Sequence, residues 1–208
     1  VLENDLHHTL KRLREHALIK SALARLRAEL PKDLFYHSYE HTEDVLSEVV
    51  RFALIDGLSD REIELLGIAA AFHDIGFLTS RVCNEGIGAQ EARTAMTGSG
   101  AYTEDEITLV SQMILDTALL QTPNGPQRAC STPLSSYLLD ADLSTLGRDD
   151  FFSKGELLRQ EFGQDQDSFR QSSLVLLNSH TWLTEAARSL RQAKKDENVA
   201  ALREMLQK

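Results

Sequence analysis

The sequence predicts an all-α fold, a bundle of about eight or nine helices. Three observations point there. Apolar residues recur at helical spacing along nearly the whole 208-residue chain. Ser59 with Glu62, and Thr103 with Glu106, have the spacing of the reciprocal cap that opens a helix. No segment shows the sustained apolar/polar alternation, or the hairpin turn signals, that would argue for strands.

Taken in order, Leu6, Leu10, Leu13, Ala17, Leu23 and Leu26 mark one long first helix that Pro31 closes, with Lys11, Arg12, Arg14, Arg25 and Arg27 on its solvated faces. A second helix is expected from about residue 40 to 55, burying Val45, Val49 and Phe52, with Gly57 where a left-handed C-terminal residue is wanted. The Ser59 cap opens a strongly apolar helix, 63–72, that ends in His73-Asp74-Ile75-Gly76. Residues 81–100 contain glycines and read as a loop holding a short helix over 89–96. The Thr103 cap leads into Ile107, Val110, Met113 and Ile114. Segment 121–133, with Pro123, Asn124-Gly125-Pro126 and Pro133, reads as the longest loop and the best candidate for a mobile edge. A further helix covers 134–146, stopped by Gly147, and two or three more fill 149–208. Residues 1–208 are expected to form a single domain.

Composition narrows the function. At 42% apolar and 26% charged residues, the chain reads as a globular protein. A net charge of −10 argues against nucleic acid as partner, because such binders need a basic face. An anionic substrate then needs a local cation. No apolar run reaches the ~18 residues of a membrane span, and the charged first thirty residues lack the core of a secretory signal, so a cytoplasmic location is expected. Whether Val1 is the true start stays open. Cys83 and Cys130 have no CxxC spacing and are read as bystanders.

An isolated His-Asp pair carries little information; its position carries more. His73 and Asp74 close a helix whose Leu65-Leu66-Gly67-Ile68-Ala69-Ala70-Ala71-Phe72 run is apolar nearly all round, so the pair is expected in the interior. There a carboxylate has to be paired or metal-bound. His41 precedes Val45, Val49 and Phe52 by four, eight and eleven residues, which puts its ring on their buried stripe. Asp142 follows Leu138 and Leu134 by four and eight, whereas Asp140 falls on the flank behind Ser136 and Tyr137. Asp142 is therefore the expected inward acid. Imidazole nitrogen with carboxylate oxygen suits a divalent transition metal (Mn, Fe, Ni, Co or Zn), with Mg admissible. The competing reading of each residue taken singly is a hydrogen-bonded core histidine or a helix-end acid.

The ordered series His, His-Asp, Asp on successive helices resembles the signature of the HD superfamily of metal-dependent phosphohydrolases. Tyr36-His37-Ser38-Tyr39-Glu40-His41-Thr42 is similar to the Tyr-His-x-x-x-His opening motif of that family, including its cyclic-nucleotide phosphodiesterases. Ala71-Phe72-His73-Asp74-Ile75-Gly76-Phe77 is similar to its central motif, and Leu139-Asp140-Ala141-Asp142-Leu143-Ser144-Thr145-Leu146-Gly147-Arg148 to its closing one. The likeness spans about residues 36–148, and the terminal helices look like those of small bacterial members. It implies an HD domain in which His41, His73, Asp74 and Asp142 bind metal, with Asp74 bridging if a second ion binds. It also implies that His37 protonates the leaving oxygen, a task suited to a group that titrates near neutrality, against an exposed histidine ahead of the helix. Glu85 follows Asn84 where some small members carry His-Glu, and is implied to orient a water. Phe77 stands where phosphodiesterases have another histidine, and the Glu-Asp pair of alarmone hydrolases and the Gly-Tyr-Pro of the cyclic-dinucleotide subgroup are absent, so a second metal stays open.

The expected activity is hydrolysis of a phosphoester of a nucleotide or small phosphorylated metabolite by metal-activated water, with Asp74 or Glu85 orienting the nucleophile. The alternative is a regulatory module that keeps the HD fold and senses a nucleotide or a partner. Arg148 is a candidate phosphate clamp, against a helix-start salt bridge with Asp149 or Asp150; His180, after Leu174-Val175-Leu176-Leu177, is a candidate pocket residue, against a core histidine. Asp44 is a candidate to orient His41, against a solvated helix face. The expected partner is a small phosphorylated substrate, a nucleotide, with neither nucleic acid nor membrane; a homodimer stays open, since the first helix can pack on its own core or on a second copy.

Overall fold

The computed structural model describes residues 2–122 and 125–207. Among them the fold is all-α, with ten α-helices, two 3-10 turns and one two-stranded hairpin. The helix count exceeds expectation partly because the first helix is two. Helix α1 (Leu2–Glu15) and α2 (Ala17–Glu29) are separated by His16, whose backbone is extended at φ −65° and ψ 126°. The cause is a slip in apolar phase. Leu6, Leu10 and Leu13 are buried, but the next buried residues are Ile19, Ala22, Leu23 and Leu26, while Ala17 is exposed. Six residues from Leu13 to Ile19 turn a continuous helix through about 600°, roughly 120° off the stripe. The break restores both stripes to the core. His16 Nε2 then donates to the Tyr102 hydroxyl at 3.0 Å, which donates to Glu64 at 3.1 Å.

Helix α3 (Tyr39–Ile55) starts at Ser38, whose hydroxyl accepts the His41 backbone N–H at 3.3 Å. Gly57 is left-handed at φ 74°, as expected. Helix α4 (Asp60–Phe72) carries the expected capping box and is the central helix, packed against α2, α3, α5, α6 and α7. Helix α5 (Asn84–Ser99) is twice the length expected for that segment, and α6 (Glu104–Asp116) follows its own capping box. Small residues let α5 lie close on the end of α4: a Cβ on Gly88 would meet the Phe72 carbonyl oxygen at 2.6 Å.

The segment read as a strandless loop contains an antiparallel hairpin, β1 (Leu120–Thr122) and β2 (Gly125–Gln127), pairing Leu120 with Gln127 and Thr122 with Gly125. Strands of three residues are too short for alternation to register. The turn residues Pro123 and Asn124 lie outside the described residues. Helix α7 (Ser135–Asp142) ends sooner than expected, and the chain tightens into a 3-10 turn over Ser144–Gly147. Helices α8 (Phe151–Phe162), α9 (Gln166–Ser179) and α10 (Glu185–Leu206) complete the fold. Among the described residues, no helix is long and apolar enough to cross a membrane.

Candidate metal centre

Three helices bring four side chains to one buried point. His41 comes from the first turn of α3, His73 and Asp74 from the end of α4, and Asp142 from the last residue of α7. One ligand atom each of His41, His73 and Asp142 lies within 4.8 Å of the others. His41 Nε2 is 3.0 Å from Asp142 Oδ1 and 3.6 Å from Asp74 Oδ2; His73 Nε2 is 3.2 Å from Asp74 Oδ2 and 3.6 Å from Asp142 Oδ1. All four residues are buried, at 1–8% exposure. The local fold fixes their aim. His73 Nδ1 donates to the Ala70 carbonyl at 2.7 Å, one turn back, which leaves Nε2 facing the cluster. Gly76 seats the turn after Asp74: a Cβ there would fall 2.0 Å from the Asn84 carbonyl oxygen.

The electrostatics favour a cation. Burial opposes ionisation of Asp74, but the charge of His73, with Nε2 3.2 Å away, overcomes it and holds the carboxyl down at about 2. Asp142 is likewise held well below the usual carboxylate range, against burial, by Arg128 first and then by His41 and His73. Burial penalises the His73 imidazolium, yet Asp74 and Asp142 together push its pKa well above the ordinary value. Two buried carboxylates thus draw a proton into the cluster to balance them. His73 Nε2 and Asp74 Oδ2 are buried and have no hydrogen-bond partner. Orphaned, inward-facing nitrogen and oxygen donors in a mixed imidazole–carboxylate set fit a divalent ion.

Two residues that sequence reasoning did not select complete the surroundings. Arg128, just past β2, places Nη2 2.7 Å from Asp142 Oδ2, the oxygen that faces away from the histidines. Glu161, on α8, accepts from His37 Nδ1 through Oε1, and its Oε2 accepts the backbone N–H groups of Tyr36 and His37 at 2.8 and 3.1 Å. The His37 ring lies 6.0 Å from the His41 ring and stacks on Phe77 at 4.5 Å. Burial lowers the His37 pKa, but the Glu161 hydrogen bond and the Asp74 charge more than offset this and leave it raised. Tyr36 packs its ring 4.7 Å from that of His41.

Other residues singled out from sequence fall elsewhere. Asp140 turns away from the cluster and accepts the backbone N–H groups of Leu183 and Thr184 and the Thr184 hydroxyl, tying α7 to the start of α10. Glu85 makes no hydrogen bond or ion pair with the cluster among the described residues; with its amide turned to face it, Asn84 donates to Glu85 at 2.9 Å. The Arg148 guanidinium pairs with Asp150 at 2.5 Å and lies 3.6 Å from Asp44, which also meets Lys154 at 3.1 Å. That is the helix-start salt bridge, and it takes Asp44 away from His41. His180 sits outside the cluster, edge-on to Trp182 at 4.4 Å, in the wall of a cavity shared with Arg128. Cys83 and Cys130 are free and exposed.

No family model matches the chain, and no curated protein matches it. A crystal structure of a Lactobacillus plantarum protein, a structural-genomics target, is similar over 92% of this chain and 94% of its own, with a TM-score of 0.63 at 15% identity. The likeness is one of fold. It extends over nearly the whole of both chains, so the terminal helices share the architecture with the helices that carry the cluster.

Proposed function

We propose that this chain is a metal-dependent phosphohydrolase of the HD type, cleaving a phosphoester of a nucleotide or small phosphorylated metabolite. The observation that carries the reading is the buried convergence of His41, His73 and Asp142, with Asp74 Oδ2 3.2 and 3.6 Å from the two histidines and without a hydrogen-bond partner. His41 Nε2, His73 Nε2, Asp74 Oδ2 and Asp142 Oδ1 would hold the ion. The chemistry such an ion supplies when bound is Lewis acidity, which brings the pKa of a coordinated water toward neutrality and polarises a phosphoryl oxygen.

The remaining work belongs to the side chains. Asp74, ionised down to pH of about 2, is the base that accepts a hydrogen bond from the attacking water. His37, whose pKa the Glu161 hydrogen bond raises against burial, delivers its proton to the departing alkoxide, and stacking on Phe77 fixes its ring. The Glu161 carboxylate spans the Tyr36 and His37 backbone, so the opening of α3 and the proton donor are held by one group. Glu85 takes no part in this scheme.

A panel of nucleoside monophosphates, cyclic nucleotides and small phosphomonoesters, crossed with Mg, Mn, Fe, Co, Ni and Zn, tests the reading. Turnover that needs added metal and is lost in His73→Ala supports it. Nucleotide binding without product release across the panel would instead favour a sensor module.

A further inference from the structure

A second feature is linked to the cluster through Arg128, the ion-pair partner of Asp142. A cavity of about 230 Å³ opens between the hairpin, the end of α7 and the end of α9. Its walls include Arg128 and His180 as polar groups among the apolar side chains of Leu139, Leu143, Leu176 and Leu183. Arg128 is its cation, and its side chain is only 15% exposed. Nη2 forms an ion pair with Asp142 Oδ2 at 2.7 Å, whereas Nε and Nη1 are buried with no acceptor among the described residues. A guanidinium has five N–H donors in a rigid fork, so donors remain unpaired here, and a small shift of the side chain toward the cavity would present them to an oxyanion. At the other wall, His180 Nδ1 is also buried without a partner. Burial, then Lys195 and Arg128, push the His180 pKa down to about 3, so the ring is neutral and offers a hydrogen bond, not a charge. Asp140 also lines the cavity, but its oxygens are taken by Leu183 and Thr184.

We propose that this cavity is the substrate-body subsite of the centre: Arg128 grips an oxyanion of a phosphorylated monomer at the mouth beside Asp142, and His180 hydrogen-bonds the body inside. The proposal rests on the phosphohydrolase reading for its orientation, with the scissile phosphoryl group at the Asp142 end. The cavity is smaller than the ~300–1,000 Å³ of sites for drug-sized ligands. Within its walls it holds a group the size of one sugar ring or one base. Within an acidic chain of net charge −10, Arg128 supplies the local cation that an anionic substrate needs.

The test uses the whole protein in chelator, so that binding is read without turnover. Inorganic phosphate and ribose 5-phosphate are titrated by calorimetry into wild type, Arg128→Gln, Arg128→Lys and His180→Ala. Wild type is expected to bind both, ribose 5-phosphate the tighter. Arg128→Gln weakens both by about tenfold or more, and Arg128→Lys recovers little, because an ammonium cannot replace the fork. His180→Ala weakens ribose 5-phosphate alone. Arg128→Lys keeps a cation beside Asp142, so it still reports should the glutamine variant misfold. Phosphate affinity within twofold of wild type in both Arg128 variants overturns the proposal, as does ribose 5-phosphate binding no tighter than phosphate. If the Arg128 effect appears but no metal-dependent turnover is found, the subsite stands and the hydrolase reading fails; turnover with unchanged Arg128 variants gives the reverse.

Discussion

The choice between two acids one turn-fraction apart shows how much a single side-chain direction decides. Asp142 faces two imidazoles, whereas Asp140 holds the Leu183–Thr184 backbone. Asp142→Asn is expected to weaken metal binding by ~100-fold or more, with little change in helicity. Asp140→Asn should cost ~1–2 kcal/mol of stability, as loss of a helix-start acceptor does, and leave metal stoichiometry intact; metal analysis and thermal melts on the pair check this. His37 yields a second expectation. Its pKa is raised because Glu161 favours the charged ring, so neutralising that partner lowers it. If the protonated ring is the working form, Glu161→Gln moves the alkaline limb of the kcat–pH profile to lower pH, by about one unit. An unmoved limb would assign Glu161 a purely structural role. His41, His73 and Asp142 were legible in sequence because each sits in phase with an apolar stripe. Arg128 and Glu161 were not. Arg128 follows a proline- and glycine-containing segment with no periodicity to orient it, and Glu161 lies 124 residues from His37 on a helix with few buried positions.

At the scale of the element, termini of helices position the chemistry. The cluster gathers the start of α3 and the ends of α4 and α7, where short caps and tight turns set side-chain direction. Close backbone approach between α4 and α5 secures the His73-Asp74 end. A Cβ at Gly76 would meet backbone 2.0 Å away, while one at Gly98, within α5, meets nothing within 4 Å. Gly76→Ala should therefore cost ~2–3 kcal/mol or more and weaken metal binding, whereas Gly98→Ala should stabilise by about 0.5 kcal/mol; denaturant melts of the two variants decide it. The capping boxes at Ser59 and Thr103 were readable because the motif is local. The break at His16 was also written in the sequence, as the phase slip from Leu13 to Ile19, but a stripe traced through Ala17 conceals it. The hairpin was not readable, since its two strands are three residues each.

For the whole molecule, the all-α class followed from periodicity, and the architecture places a buried, charge-rich point at the junction of three helices beside the apolar core. Buried carboxylates with partnerless donors are tolerated when a cation neutralises them. Because His73 has to give up its proton to bind metal, affinity should rise with pH through the raised His73 pKa. Metal occupancy is the most direct measurement. After chelator treatment, dialysis against Mn or Zn and elemental analysis, wild type should retain about one ion per chain and melt at higher temperature than the metal-free form, while His73→Ala and Asp142→Asn retain none. Wild-type protein that binds no divalent ion, or a His73→Ala protein that binds as wild type does, would contradict the metal centre.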